Sequence, residues 1–348
     1  MWLKKITLLN FPNVKKKTFI FNPFLTIVIG ENAKGKTNLL EAVYCLITGK
    51  GFREHKENEL IFFGEKKAKI EAVFEEKDQK FVYEIIMEKS GEEIRKTYLI
   101  DHSKKSLNQF KKTITKAVLF FPDQLSIITG SPEERRGYFD RFLSENDTQY
   151  KSKLNNYQNA LKKRNKLLEK HETTNNHFLD ELSFWNNYLI EQSDYIFQKR
   201  RHYCQFLNKH FSLNGKDFFI DYQPNLINEE KFKAVFNEEL RYRRTLIGPQ
   251  KDNFLIFLKN EKEKNVHLFG SRSEQRLALF WLKINEINFY EENFKIRPIL
   301  LLDDIFSELD FNNRLLILKL IKKYQTILTT TAIEIIRIEE GTRSVIKI

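Results

Sequence analysis

Two periods of hydrophobic patterning divide this chain into strand-like and helix-like stretches. The run Leu25-Thr26-Ile27-Val28-Ile29 is apolar at nearly every position, the pattern of a buried strand. Residues 38–46, which follow at once, space their apolar side chains for a helix. Shorter apolar runs at 6–9 and 18–21 flank a turn at Asn13. Residues 69–74, 81–87 and 94–100 read as an antiparallel meander, broken by turn-like stretches at 75–79 and 90–92. A further short strand at 117–121 is ended by Pro122.

The pattern then turns helical. Ser131 can cap a helix, Pro132 suits its first position, and Glu134 completes a capping box. Residues 148–212 form long helical segments with a break near 172–176, the pattern of a helical hairpin. Strand character returns at 217–222, followed by a helix through 240. Residues 254–258 and 266–268 read as a hairpin around the charged turn 259–264, and 299–302 as a buried strand. This order gives an α/β fold. It has a head with a mixed sheet and an antiparallel meander, interrupted by an inserted helical domain. The expected divisions are 1–122 and 241–348 for the head and 123–240 for the arm.

Composition adds a direction. The 348 residues carry a net charge of +12, which favours a polyanionic partner, nucleic acid before a membrane surface. A Lys-rich proteome would give the same surplus with no such partner. Between 151 and 212 there are eleven Lys and Arg against six Asp and Glu. A solvated amphipathic arm with no ligand would show the same excess. Two cysteines, Cys45 and Cys204, are too few for a disulfide framework or a zinc site and fit a reducing cytoplasm. The first ten residues lack a signal peptide's apolar region, and no run approaches the length of a membrane span.

The chemistry concentrates at Gly30 to Thr37, GENAKGKT, placed between the buried strand and the helix. Strand, G-x-x-x-x-G-K-[ST], helix is the setting in which a phosphate-binding loop makes physical sense. A glycine turn before a solvated basic helix is the plain alternative, and the flanking elements argue against it. The expected nucleotide-binding residues are Gly30, Glu31, Asn32, Ala33, Lys34, Gly35, Lys36, Thr37 and Asn38. Backbone N–H groups would face phosphate oxygens, with Lys36 adding charge at the β- and γ-phosphates. The Thr37 hydroxyl is placed to ligate Mg²⁺. Asp303, at the end of the strand 299–302, would hold the same ion, and Asp304 would orient or deprotonate the attacking water. Paired acids at a strand end could instead cap the next loop. Lys36 and Asp304 are the candidate catalytic residues.

Two further motifs point to a dimer. Ser307-Glu308-Leu309-Asp310 resembles the D-loop of ABC-type ATPases. Ser271, Ser273 and Glu274 open the helical run 277–284 where those enzymes carry their signature, and Ser271 and Glu274 have capping-box spacing. The N-terminus of that helix would meet the γ-phosphate held by a second copy. The order of motifs excludes simple nucleotide kinases, the lack of a membrane span argues against a whole transporter, and the lone cassette argues against twin-cassette translation factors. A detached transporter ATPase subunit stays open, although the helical insertion and basic charge suit it poorly.

Over nearly its full length the chain resembles the RecF family of ABC/SMC-like ATPases. The likeness rests on Ile6-Thr7-Leu8-Leu9-Asn10-Phe11, on GKTNLLEA at 35–42 and on Thr48 through Arg53. It continues in Phe120-Phe121-Pro122-Asp123, in the block 130–140, in Gly248-Pro249-Gln250-Lys251-Asp252 and in LLDDIFSELD at 301–310. The departures are Pro12 for Arg, Ala33 for Gly, Ser273 for the signature Gly, and Gln250 and Lys251 for His and Arg. Ala33 fits if the loop avoids positive φ there. The triplet Thr329-Thr330-Thr331 stands in the switch region. The resemblance implies ATP and Mg²⁺ as ligands, adenine rather than guanine, and slow hydrolysis by an ATP-sandwiched homodimer. It further implies gapped, duplex or junction DNA as partner, with Lys162, Lys163, Arg164, Arg200 and Arg201 of the arm as candidate phosphate contacts, although a helical Lys run is usually a solvated face. Mediators of the RecO/RecR type that help load recombinase in replication-gap repair are the implied protein partners. The competing expectations are a nucleotide-dependent scaffold without significant turnover and another SMC-like ATPase. The short insertion and missing Cys-x-x-Cys hook count against a long coiled-coil relative.

Overall fold

The computed structural model describes residues 1–53, 57–91, 93–170, 175–259, 263–305, 311–331 and 343–348. They form an α/β structure in two compact units, Met1–Asp123 with Lys283–Ile348, and Gln124–Leu282.

In the first unit the helix Lys36–Thr48 lies between two sheets. One is parallel, with Arg343–Lys347, Leu25–Ile29, Thr326–Thr330, Ile299–Asp303 and Ala117–Phe120 side by side in that order. Its three central strands are buried at all five positions, which is why they read as unbroken runs rather than alternating ones. The other sheet is antiparallel, built from Trp2–Phe11, Val14–Ile20, Lys67–Glu76, Gln79–Ser90, Glu93–Ile100 and Ser103–Lys105. Phe11 pairs with Val14 across a two-residue turn in which Asn13 adopts φ +61, a conformation Asn tolerates better than most residues. Covered from both sides, the helix buries nearly every residue from Asn38 to Ile47. It ends where Gly49 takes φ +83 and its N–H returns to the Cys45 carbonyl at 2.8 Å.

In the second unit Ser131 and Glu134 form the capping box that starts Pro132–Asn146. Thr148–Glu169 and Asn176–Lys209 pack as a hairpin, capped by Asp147 and Asn175. Behind it Lys216–Gln223 pairs antiparallel with Asn253–Lys259. That pairing carries the arm unit past 240 to Leu282, where the pattern reading had placed the head from 241 onward. One expected strand is also corrected. Residues 266–268 belong to the short helix Val266–Phe269, and Lys264–Asn265 supplies the pairing strand instead. Asn265 accounts for it, because its side chain accepts the His267 and Leu268 N–H groups and starts a helical turn. Among the described residues no helix is long and apolar enough to cross a membrane.

Candidate active site

The strand Leu25–Ile29 delivers the chain to Gly30, where an added Cβ would stand 2.5 Å from the Ile348 main-chain oxygen. At the other end of the loop Gly35 takes φ +96, a conformation L side chains rarely adopt. No side chain caps the helix at Gly35, so its first-turn N–H groups are left for an anion. Lys36 is buried, and its ammonium donates to the Gly30 and Glu31 carbonyls at 2.8 and 2.9 Å. Glu31, Asn32, Ala33 and Lys34 form the exposed crown, with Glu31 and Lys34 paired at 3.7 Å. Ala33 has φ +64, so the expectation that its position avoids positive φ is overturned. Crown geometry imposes the left-handed conformation, and the methyl group bears its strain. Asn38 turns its side chain inward, donating to the Pro12 carbonyl at 3.0 Å.

Thr37 and Asp303 meet beneath this loop. The Thr37 hydroxyl lies 3.1 and 3.0 Å from the two carboxylate oxygens of Asp303, although 266 residues separate them in sequence. Thr329 donates to the same carboxylate at 2.6 Å. Burial raises the Asp303 carboxyl above its ordinary value, the Thr329 and Thr37 bonds oppose that, and the neighbouring Asp304 charge adds to it. A hydroxyl oxygen and a buried, under-neutralised carboxylate converging at this distance are a donor set that suits Mg²⁺. Asp304 follows with φ +45, its N–H directed at the Thr329 hydroxyl and carbonyl at 3.1 and 3.2 Å.

Two more residues brace the first helical turn. The Arg53 guanidinium donates to the Asn38 side chain at 2.5 Å and forms a close ion pair with Glu41, which is 1% exposed. It also helps to lower the Asp303 carboxyl. A cavity of about 230 Å³ adjoins the loop at Lys34 and Gly35, with Leu8, Val14, Phe19 and Leu39 among its lining. Arg53 and Glu41 stood in the sequence only within the stretches 48–53 and 35–42 that carry the resemblance, with no role attached, and nothing marked this cavity. Thr329 was visible only as part of a threonine triplet.

With this geometry in place, likeness to known proteins becomes decisive. The RecF/RecN/SMC N terminal domain family matches residues 2–343. The DNA replication and repair protein RecF of Agathobacter rectalis is 32% identical over 96% of this chain and 93% of its own length. The chain belongs to the RecF family. RecF of Bacillus thuringiensis matches at the same identity and coverage. Among solved structures, the recombination mediator RecF-ATP of the RecFOR pathway superposes with TM-score 0.82 and 27% identity, over 95% of this chain and 92% of that one. An SMC head bound to the C-winged helix domain of ScpA, at TM-score 0.52 and 18% identity, shares the fold. The head is thus a P-loop ATPase of the ABC type.

Other expected RecF positions divide. In the second unit, Ser271 and Glu274 form the capping box that opens Arg272–Phe294, at 2.8 and 3.3 Å. Ser271 and Ser273 are exposed there. Burial pushes the Glu274 carboxyl up, but Lys264 at 2.8 Å and the Ser271 bonds outweigh it and hold it at about 2. Ser307 to Asp310, the expected D-loop, lies outside the described residues. Of the arm cations, Lys162, Lys163 and Arg201 are exposed, and the Lys163 ammonium stands 5.0 Å over the Trp185 ring. Arg164 and Arg200 are corrected: each is 1% exposed and cannot reach a DNA phosphate. Arg164 pairs with Glu239 at 2.5 Å, and Arg200 with Asp140 at 2.7 Å and Asp252 at 2.6 Å.

Proposed function

We propose that this chain is a cytoplasmic, ATP-dependent DNA-binding protein of replication-gap repair. It dimerises around ATP, hydrolyses it slowly and helps mediators of the RecO/RecR type to load recombinase. The observation that carries the reading is the junction of Thr37, Asp303 and Thr329 beneath an uncapped helix N-terminus. Relatives that are DNA replication and repair proteins, and a recombination mediator solved with ATP, support it.

In this reading the first-turn N–H groups and Lys36 bind the β- and γ-phosphates. The nucleoside occupies the cavity beside Lys34, where Lys15, Lys16 and Lys17 stand with Leu8, Val14, Phe19 and Leu39. Thr37 and Asp303 would hold Mg²⁺, which neutralises phosphate charge when bound. Asp304 orients the attacking water and accepts its proton. Ser271, Ser273 and Glu274 of one protomer close on the γ-phosphate held by its partner. DNA is gripped through its phosphates by Lys162, Lys163 and Arg201, so binding tolerates sequence and weakens with salt.

A second reading, a nucleotide-dependent scaffold without significant turnover, is favoured by the side chain of Ser273 where the signature Gly is expected. Sizing the protein with ATP, with ADP and without nucleotide tests the first. Wild type should dimerise only with ATP, and Lys36→Ala should stay a folded monomer that binds no nucleotide. Dimerisation of Lys36→Ala with ATP, as in wild type, would remove the sandwich mechanism. ATP binding with no turnover, with or without duplex DNA, would select the scaffold.

A further inference from the structure

Thr329 joins two groups that hydrolysis uses separately. It lies on the strand Thr326–Thr330, in register with Asp303 on one side and with Val28 on the other. The residue is fully buried, so no water competes for its hydroxyl. That hydroxyl carries one proton. The proton is directed to Asp303 Oδ1 at 2.6 Å, leaving lone pairs for the Asp304 N–H at 3.1 Å. The Thr329 carbonyl takes a second share of the same N–H at 3.2 Å. Asp304 is meanwhile held at φ +45, where few non-glycine residues rest unaided.

We propose that Thr329 is a positioning residue for ATP hydrolysis, setting the orientation of the metal-binding carboxylate and the backbone that presents the base. The proposal rests on reading the chain as a Mg²⁺-dependent ATPase. A carboxylate turns readily about its terminal torsion. Among the described residues two hydroxyls hold Asp303, and that of Thr37 is itself a metal ligand in this reading. Thr329 is then the donor left to stop Asp303 from turning away, the role that outer groups play around metal ligands. Because the same oxygen accepts from Asp304, a rotation of Asp303 is felt at the base. Valine would keep the shape and lose both bonds, whereas serine would keep both bonds and lose only a methyl group.

The full-length wild type, Thr329→Val and Thr329→Ser can be compared by turnover against Mg²⁺ and by binding of a fluorescent ATP analogue in EDTA and in Mg²⁺. Thr329→Val should lower kcat and raise the half-saturating Mg²⁺, each about tenfold or more, while affinity in EDTA stays within about twofold. Thr329→Ser should restore both. The gain in nucleotide affinity on adding Mg²⁺ should shrink in Thr329→Val and persist in Thr329→Ser. Wild-type kcat and Mg²⁺ dependence in Thr329→Val would overturn the proposal. If Thr329→Val does not fold, Thr329→Ala takes its place under the same criteria. A wild type that binds ATP but never hydrolyses it refutes the ATPase reading instead, and the Mg²⁺-dependent binding gain still decides whether Thr329 positions Asp303.

Discussion

Replacing Arg200 by Met separates a buried organiser from a DNA contact. The guanidinium donates to Asp140 at 2.7, 2.9 and 3.2 Å, to Asp252 at 2.6 Å and to the Pro249 carbonyl at 2.9 Å. Methionine fills much of the same volume, so the main consequence is electrical: two carboxylates lose their cation. Removing one partner of a buried pair costs about 3–5 kcal/mol. Residual bonds favour the lower end. Asp252 keeps the Tyr222 hydroxyl at 2.6 Å and the Asn225 N–H at 2.7 Å, and Asp140 keeps the Tyr150 hydroxyl at 2.5 Å and is 18% exposed. A loss of about 3 kcal/mol lowers the melting temperature of a unit this size by about 6–12 °C. A surface Arg removed from a DNA-binding face would change stability by no more than about 0.5 kcal/mol.

The pH dependence has a definite sign. Burial holds the Asp252 carboxyl above its ordinary value, against the pull of Arg200, Tyr222 and Asn225. A carboxyl raised on folding binds its proton more readily in the folded state, so its penalty grows as pH rises from the unfolded value through the folded one. Without Arg200 the folded value climbs further. The deficit of Arg200→Met is therefore largest near neutral pH and narrows on acidification. Urea unfolding near neutral pH and at mildly acid pH, with duplex binding measured on the same preparations, reads both effects. A wild-type urea midpoint combined with weakened DNA binding would refute the buried-organiser account.

Glu274 behaves with the opposite sign. Its carboxyl, held at about 2, contributes stability that is fully present above the unfolded value of 4.5 and lost as pH falls toward 2. The stability gap between wild type and Glu274→Gln should accordingly close below pH 4.5, as melting curves against pH would show. Gly35→Ala and Ala33→Gly should move urea stability in opposite directions. The first loses about 1–2 kcal/mol by placing a side chain at φ +96. The second gains roughly 0.5 kcal/mol, because relief at φ +64 is partly cancelled by a freer unfolded chain. The double variant Lys162→Ala with Lys163→Ala should weaken DNA binding for all sequences and flatten the log K against log salt slope by about 2. Its ATP binding should be unchanged, and an unaltered slope would move the DNA surface elsewhere.

The phosphate loop was legible because its determinants are contiguous: a buried strand, glycines at the turns, a basic and hydroxyl pair and a helix. Asp303 was legible for a related reason, since an acid at the end of an apolar run must emerge at one edge of the parallel sheet. Thr329 and Arg53 stood in quoted stretches, but their roles escaped because they come from register between strands and from the packing of a loop on a helix, which local pattern does not encode. The arm shows a different failure, with the signal present and outweighed. Leu154, Tyr157, Ala160 and Leu168 are buried at helical spacing, and Arg164 continues their stripe. Leu189, Ser193, Ile196, Tyr203 and Leu207 do the same around Arg200. Charge alone assigns both arginines to solvent, whereas the buried stripes on their helices place them in the interior. In a helix the position on the wheel outranks the residue's charge whenever carboxylates wait on the facing elements, as Glu239, Asp140 and Asp252 do here. Lys163 and Lys162, one and two residues off that stripe, and Arg201, one residue past Arg200, are the candidate cations left for phosphate.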